Sequence, residues 1–222
     1  MRVRRPRGRS LDDRLVWQAS SLLLDYPGED WRTRLATVRQ ILAGTSTARA
    51  RPLLRAWEEL SSLTSAQVQT GYVETFDLRR RSTLYLTYWT AGDTRNRGRE
   101  ILRFADAYRE AGTRAPRGES ADHLAVLLEF AATVDPEAGA ALLGEYRAAL
   151  RMLQLVLDED ASPYAPILGA VCASVPDRSG GAEERARRLA REGPPAEAVG
   201  LEPFTLTVPP RSADLSRQEV GR

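Results

Sequence analysis

The sequence predicts an all-α protein, a single-domain bundle of about nine helices, on the strength of three observations. Apolar residues recur at helical spacing, as in Ile101, Phe104, Ala105 and Tyr108, which fall at i, i+3, i+4 and i+7. Alternating strand-like patterns are scarce, whereas helix starts and stops are legible throughout. Neither an internal repeat nor a shift in composition marks a boundary, so we assign residues 10–204 to one helical domain.

The first third of the chain predicts three helices. Ser10-Leu11-Asp12-Asp13 resembles a capping box that opens the first helix, and Pro27-Gly28 closes it. The second helix is expected at about 30–43, with Gly44 as its stop. The third carries an apolar stripe formed by Leu53, Leu54, Trp57 and Leu60.

The middle third predicts three more helices, at about 64–77, 79–90 and 94–111. Gly92 breaks the chain before the last of these, and Gly112 ends it. Gly98 lies on the same face of that helix as Ile101, where the missing side chain would let another helix approach closely.

The loop "TRAPRGES" separates these helices from the final set. Asp135 is a predicted N-cap, and Pro136 takes the first position of a helix that runs to about residue 157. Other helices are expected around the stripe Leu124, Leu127, Leu128 and Ala131, at about 163–174, and in the polar stretch "GAEERARRLARE". We expect residues 1–9 to be a disordered basic tail and residues 205–222 to be a disordered C-terminal tail.

Composition excludes several classes of function. The 222 residues are 42% hydrophobic and 28% charged, as in a soluble globular protein, and the net charge of +2 does not favour nucleic acid as a partner. The chain contains no lysine, which excludes a Walker-type phosphate loop and a Schiff-base enzyme. Cys172 and His123 are the single cysteine and histidine, so we expect no internal disulfide and no metal site of the usual zinc type. This thiol content fits the cytoplasm, and no apolar run is long enough to predict insertion into a membrane.

The stretch "YVETFDLRRRSTLYLTYWTAGDTRNRG", residues 72–98, is unusually rich in aromatic residues. Its apolar side chains cannot share one face of a helix, so we interpret them as partly core and partly the lining of a groove that accepts a peptide. The aromatic candidates for that groove are Tyr72, Phe76, Tyr85, Tyr88 and Trp89.

The polar end of this stretch predicts an electropositive corner. Asp93 or Thr94 is the expected N-cap of the following helix, and Arg95, Arg97 and Arg99 lie close to its first turn. Two interpretations are open: the arginines form surface ion pairs with Glu74, Asp77 or Glu100, or they bind an acidic or phosphorylated ligand.

Three segments resemble the NarJ family, the delta subunit of respiratory nitrate reductase, within the TorD-like superfamily. They are "YVETFDLRRRSTLYLTYWTAGDTRNRGREILRF", "DHLAVLLEF" and "PPAEAVGLEPF". The resemblance implies an all-helical chaperone without catalytic activity. Such a chaperone binds the N-terminal segment of the apo catalytic (alpha) subunit in the cytoplasm and delays its docking onto the membrane subunit. It assists insertion of the bis-molybdopterin guanine dinucleotide cofactor, which it contacts at most transiently. A monomer or a weak homodimer is expected.

The superfamily motif E-P-x-D-H corresponds here to Glu119-Ser120-Ala121-Asp122-His123, with serine in place of proline. Two interpretations of His123 are open, a packing residue at a helix start or a contact for the client peptide or cofactor, and Asp122 is the expected N-cap. The client-binding candidates are therefore Tyr72, Phe76, Tyr85, Tyr88, Trp89, His123, Leu127 and Phe130. The candidates for a polar rim or motif are Asp77, Arg80, Asp93, Thr94, Arg97, Gly98, Asp122 and Glu129.

Three alternatives accompany this interpretation. The client is a molybdoenzyme other than nitrate reductase; or the chain is a nucleotide-binding helical protein that uses the arginine-rich corner at 93–99; or the basic N-terminal tail binds DNA, which would make that binding dependent on salt.

Overall fold

The computed structural model describes residues 10–175, 177 and 180–195, and within them the chain forms eleven α-helices and no β-strand. The all-α prediction is confirmed. The predicted tails at 1–9 and 205–222, and most of "PPAEAVGLEPF", lie outside the described residues. The helices are α1 (Leu11–Leu24), α2 (Trp31–Ala43), α3 (Thr47–Ser62), α4 (Ser65–Tyr72), α5 (Leu86–Ala91), α6 (Arg95–Glu110), α7 (Leu124–Thr133), α8 (Pro136–Glu145), α9 (Arg147–Glu159), α10 (Ala165–Ser174) and α11 (Ala182–Glu192).

Helix α1 lies at the centre of the bundle, packed against α2, α3, α7 and α10. Its Trp17 is fully buried and donates its indole N–H to Ser174 Oγ of α10 at 2.8 Å. Ser21 donates its hydroxyl to the carbonyl of Ala125 in α7, also at 2.8 Å. Both polar side chains are thus satisfied inside an otherwise apolar core, as burial requires.

Helix α9 organises the other side, where it contacts α10, α11 and the short 3-10 turn Arg80–Ser82. Arg151 of α9 reaches Glu183 of α11, with Nε 2.7 Å from Oε2. Helix α5 packs against α6, and α6 contacts α8. The short helix α5 therefore packs on α6.

Several predicted helix caps are confirmed. Ser10 Oγ accepts from the Asp13 amide at 3.1 Å, Thr94 Oγ1 accepts from the Asn96 amide at 3.2 Å, and Asp135 accepts from two amides at the start of α8. In the capping box predicted at Ser10, the Asp13 carboxylate would accept from the Ser10 amide. The structure instead pairs this carboxylate with Arg49.

The predicted helix at 79–90 is wrong. Only the 3-10 turn and α5 are helical, and between them the backbone of Leu84 and Tyr85 is extended. The Leu86 amide donates to Asp122 O (3.0 Å), and the Leu124 amide donates to Leu84 O (2.9 Å). These two long-range bonds satisfy backbone groups that a helix would otherwise pair locally, so tertiary pairing overrides the helical pattern.

The predicted long helix from 135 to 157 is two helices. The chain breaks at Tyr146, whose φ of −90° and ψ of 13° end α8 before α9 begins. Tyr146 packs on Phe104 of α6, with ring centroids 5.3 Å apart, and its hydroxyl donates to Glu100 at 2.8 Å.

Near the other end of α8, a Cβ on Gly139 would lie 2.4 Å from Ala131 Cβ, so α7 and α8 approach closely at this glycine. Across the described part of the chain, every helix is too short or too polar to span a bilayer.

Candidate functional site

Two adjoining cavities form a cleft on one side of the bundle. We name the first the acidic cavity; its volume is about 230 Å³, and its walls are Asp25, Tyr26, Tyr72, Phe76, Asp77, Thr83, Leu84, Tyr85, Glu119 and His123. The second, the arginine cavity, has a volume of about 160 Å³ and is lined by Phe76, Asp77, Arg79, Arg80, Thr83, Tyr85, Tyr88, Asp93 and Arg97. Four residues line both cavities, so the two share one wall.

The shared wall is built by irregular backbone. Helix α4 passes into a π-helical turn, Val73–Asp77, in which the Leu78 amide donates to Val73 O five residues earlier (2.9 Å). This turn carries Phe76 and Asp77. π-Helical turns inside helices are rare and frequently occur at functional sites. The other half of the wall is Tyr85, held opposite His123 by an isolated antiparallel bridge.

Aromatic rings form the floor of the acidic cavity. Tyr72 stacks edge-on against Tyr26 (centroids 5.5 Å apart) and lies 4.9 Å from Phe76, which in turn packs on Tyr164. The Tyr72 hydroxyl donates to the carbonyl of Leu24 at 3.1 Å, and burial raises the pKa of this phenol above its ordinary value. The phenol is therefore a neutral structural group.

Carboxylates occupy the rim of the acidic cavity. Glu119 Oε1 accepts from the Tyr85 hydroxyl at 3.1 Å; burial, followed by the charge of Glu119, raises the pKa of Tyr85 to about 12. Asp25 pairs with Arg34 of α2, with Oδ2 2.8 Å from Nη1. Asp77 has no ion pair among the described residues.

His123 lies between these groups at the start of α7. The side chain is 6% exposed, and its ring contacts the edge of Tyr85 at a centroid distance of 5.2 Å. Its Nδ1 is buried and has no hydrogen-bond partner within the described chain. Burial lowers the pKa of the imidazole, an effect that Glu119 partly opposes, so the ring is held toward its neutral form.

The arginine cavity has a different character because each of its three arginines lies near a carboxylate. Arg97 lies 3.4 Å from Asp93 Oδ1 and 4.0 Å from Asp122 Oδ2, and its guanidinium lies over the Tyr85 ring at 5.4 Å. Arg80 approaches Asp93 at 3.9 Å. Arg97 therefore pairs with Asp93 and Asp122, and not with Glu74, Asp77 or Glu100, the partners named in one of the two interpretations of the arginine-rich corner.

Asp122 is the buried anchor of this cluster, and its prediction as a helix N-cap is wrong. Position 123 precedes the first residue of α7, while the Asp122 side chain is fully buried and turned toward α5. It accepts from the Thr87 amide at 3.3 Å, from the Thr87 hydroxyl and from the Ser120 hydroxyl. Asp122 thus joins the loop before α7 to the first turn of α5. Its carboxylate accepts from Thr87 of α5 in place of the backbone amides of α7 that an N-cap would bind.

The remaining predicted site residues are distributed between the cleft, the core and the surface. Trp89 lies with Tyr88 in a third, smaller pocket beside α9 and α11. Leu127 and Phe130 are each 1% exposed and belong to the core, so they do not line the cleft. Glu129 is exposed on α7. Gly98 is also exposed, and no described atom lies within 4 Å of a Cβ placed on it, so the expected close helix contact is wrong for this part of the chain.

Sequence reasoning missed Asp25 and Tyr26 as members of the cleft. They follow α1 directly, in the Asp-Tyr-Pro-Gly turn that indicates a helix end but gives no sign of which distant residues it meets. Glu119 is another cleft residue missing from the predicted site. It is the first residue of the five-residue motif Glu119–His123, and its place in that motif is the signal that could have identified it.

Comparison with known proteins places this cleft in a family context. The profile described as "Nitrate reductase delta subunit" matches residues 39–169, which include most of the cleft. The "Probable nitrate reductase molybdenum cofactor assembly chaperone NarJ" of Bacillus subtilis (strain 168) is 31% identical over 165 residues, covering 74% of this chain and 90% of the relative.

"Nitrate reductase-like protein NarX" of Mycobacterium tuberculosis (strains CDC 1551 / Oshkosh and H37Rv) is 52% identical over 158 residues, or 71% of this chain. The chain spans only 24% of the length of those NarX proteins. The family profile covers more than half of the chain, and the NarJ relative matches along nearly all of its own length. The chain therefore belongs to the nitrate reductase delta subunit family.

Proposed function

We propose that this protein is a chaperone for the assembly of nitrate reductase. In this proposal it binds the N-terminal segment of the apo catalytic subunit in the cytoplasm and assists insertion of the molybdenum cofactor before the subunit docks at the membrane. The observation that carries the proposal is the match to a protein named as a NarJ chaperone, which extends along 90% of that relative.

The cleft supports a binding function. A peptide that docks by one apolar face needs anchoring rings and polar groups that fix its register, and the cleft offers both side by side. Phe76 and Tyr85 stand between two cavities of different charge. We place the client segment along this shared wall, with its apolar residues against the two rings.

Calorimetric titration tests the proposal directly. The ligand is a synthetic peptide from the N-terminus of the nitrate reductase catalytic subunit of the same organism, with a scrambled peptide as control. We expect saturable binding of the native peptide with a negative heat-capacity change, since apolar surface is buried. Absence of binding by both peptides would overturn the proposal.

A pair of variants locates the binding surface. Tyr85→Ala removes the shared wall and should weaken binding by about tenfold or more, the effect of losing an aromatic anchor. Leu102→Ala is the matched control, because Leu102 is 60% exposed on α6 and lines neither cavity. Equal affinities for the two variants would move the binding surface elsewhere.

The nucleotide-binding alternative is tested in the same instrument. The guanidinium of Arg97, central to the arginine-rich corner, is occupied by Asp93 and Asp122. We therefore expect a flat titration with guanine nucleotides, and a saturable heat lost in Arg97→Ala would support the alternative instead.

A further inference from the structure

The lining of the acidic cavity contains three carboxylates and no arginine. Asp25, Asp77 and Glu119 face it, and among the described residues only Asp25 has a cationic partner. The Asp77 and Glu119 side chains are exposed at the rim, where water screens their charges. Their charge is left without an internal counterion, unlike that of Asp93 in the neighbouring cavity.

The second, independent observation is the unsatisfied imidazole. His123 lines the same cavity, is more than nine-tenths buried, and its Nδ1 meets no donor or acceptor in the described chain. A buried polar group without a partner costs about 1–3 kcal/mol, so each such group in a native protein needs an explanation, and beside a cavity a bound ligand is one. In its neutral form the imidazole has one nitrogen able to accept a hydrogen bond.

These groups do not form a metal site. Within the described residues no three His, Cys, Asp or Glu side chains come together in positions that could hold a metal ion. The aromatic surfaces of Tyr26 and Tyr72 instead suit an organic cation, whose carbon atoms pack on the rings while its N–H groups reach the rim.

We propose that the acidic cavity binds the guanidinium of an arginine side chain, supplied by the client segment. Arginine fits better than lysine because its planar fork can donate to a carboxylate through two bonds while its flat face stacks on a phenol ring. Asp77 and Glu119 supply the carboxylates, and the His123 imidazole accepts from a remaining N–H. The identity of the arginine's source rests on the proposed function, whereas the cation site itself does not.

The single histidine makes the site directly observable. The protein contains one imidazole, so its ring resonances in an NMR spectrum belong to His123 without assignment. The first probe is Nα-acetylarginine amide, and the matched probe is Nα-acetylcitrulline amide, which has a similar shape and no charge. We expect saturable shifts of the His123 resonances with the arginine compound at about millimolar concentration, and no saturable shift with citrulline.

Asp77 lies in the shared wall and Glu119 lines the acidic cavity alone, so Glu119→Gln by itself separates the acidic cavity from its neighbour and the double variant removes both carboxylates. Asp77→Asn with Glu119→Gln should reduce the affinity for acetylarginine amide by about tenfold, the effect of losing a charge-assisted hydrogen bond. Both residues are exposed, so the double variant should remain folded. Asp93→Asn is the control in the arginine cavity and should leave the affinity unchanged. Unchanged affinity in the double variant, or equal shifts with citrulline, would overturn the cation site.

Binding of the client peptide tests independently whether the arginine comes from the client segment. Each arginine of the N-terminal peptide is replaced in turn by glutamine, and one replacement should weaken binding to the wild type but not to the double variant. If the peptide does not bind while acetylarginine amide does, the cation site stands and the proposed function fails. If the peptide binds with equal affinity after every replacement and His123 does not respond, the proposed function stands and the cation site fails.

Discussion

The acidic cavity and the arginine cavity share the wall of Phe76 and Tyr85 but differ in how their charges are balanced. In the arginine cavity, Arg97 and Arg80 approach Asp93, and Arg97 also reaches the buried Asp122. In the acidic cavity, Asp77 lacks a counterion among the described residues and a histidine nitrogen lacks a hydrogen bond. The three arginines of one cavity each lie near a carboxylate, and these ion pairs help to hold the fold together. Asp77 and Glu119 in the other cavity have no such partner among the described residues, and this difference underlies the cation site that we propose there.

The largest effect that this comparison predicts is on stability, at Asp122. Asp122→Ala should lower the free energy of unfolding by about 3 kcal/mol, because the buried Thr87 and Ser120 hydroxyls lose their acceptor and the Arg97 guanidinium loses a carboxylate. Urea denaturation measures this free energy. Asp77→Ala is the matched control at the acidic rim, and its stability should lie within about 0.5 kcal/mol of the wild type. Similar losses in the two variants would contradict the division of roles.

A smaller effect is expected at Arg97. Arg97→Gln removes the guanidinium from Tyr85 and from two carboxylates but leaves the Asp122 hydrogen bonds with Thr87 and Ser120 in place. We expect a loss of about 1 kcal/mol in stability, in line with a partly exposed cation. Affinity for acetylarginine amide should not fall, and a marked loss of that affinity would show that the two cavities act as one.

The smallest effect is the dependence of stability on pH through His123. Burial lowers the imidazole pKa in the folded state, so the unfolded chain binds more protons as the pH falls below about 6.5. Folding therefore loses stability from about pH 6.5 downward, until the pH reaches the lowered folded pKa. Thermal unfolding at pH 7 and pH 5.5 should show a smaller drop for His123→Gln than for the wild type. An equal or larger drop in the variant would contradict the assigned direction.

Much of the fold follows from local sequence. Helices α1, α6 and α8 begin where Ser10, Thr94 and Asp135 supply N-caps, and these boundaries depend on neighbours within one turn. The aromatic stretch was harder to predict because its conformation depends on distant partners. Leu84 and Tyr85 are extended because they pair with the backbone before α7, almost 40 positions later.

The site was predicted in part for the same reason. Composition and motif point to Tyr72, Phe76, Tyr85 and His123, and the structure brings all four into the acidic cavity. Helical spacing also points to Leu127 and Phe130, but that spacing does not distinguish a groove from the core, where both residues lie. Asp25 enters the cavity from the end of α1, a contact that no local pattern specifies.

The π-helical turn Val73–Asp77 has an evolutionary consequence. Such a turn corresponds to one residue inserted into an α-helix, and each residue added to a helix rotates everything after it by about 100°. Val68 and Tyr72 precede the turn and lie in the core, whereas Asp77, the last residue of the turn, lines the cleft. A single-codon deletion here would turn a different side chain toward the cleft. The lining of the cleft can thus change through one insertion or deletion, without a substitution at any residue that lines it.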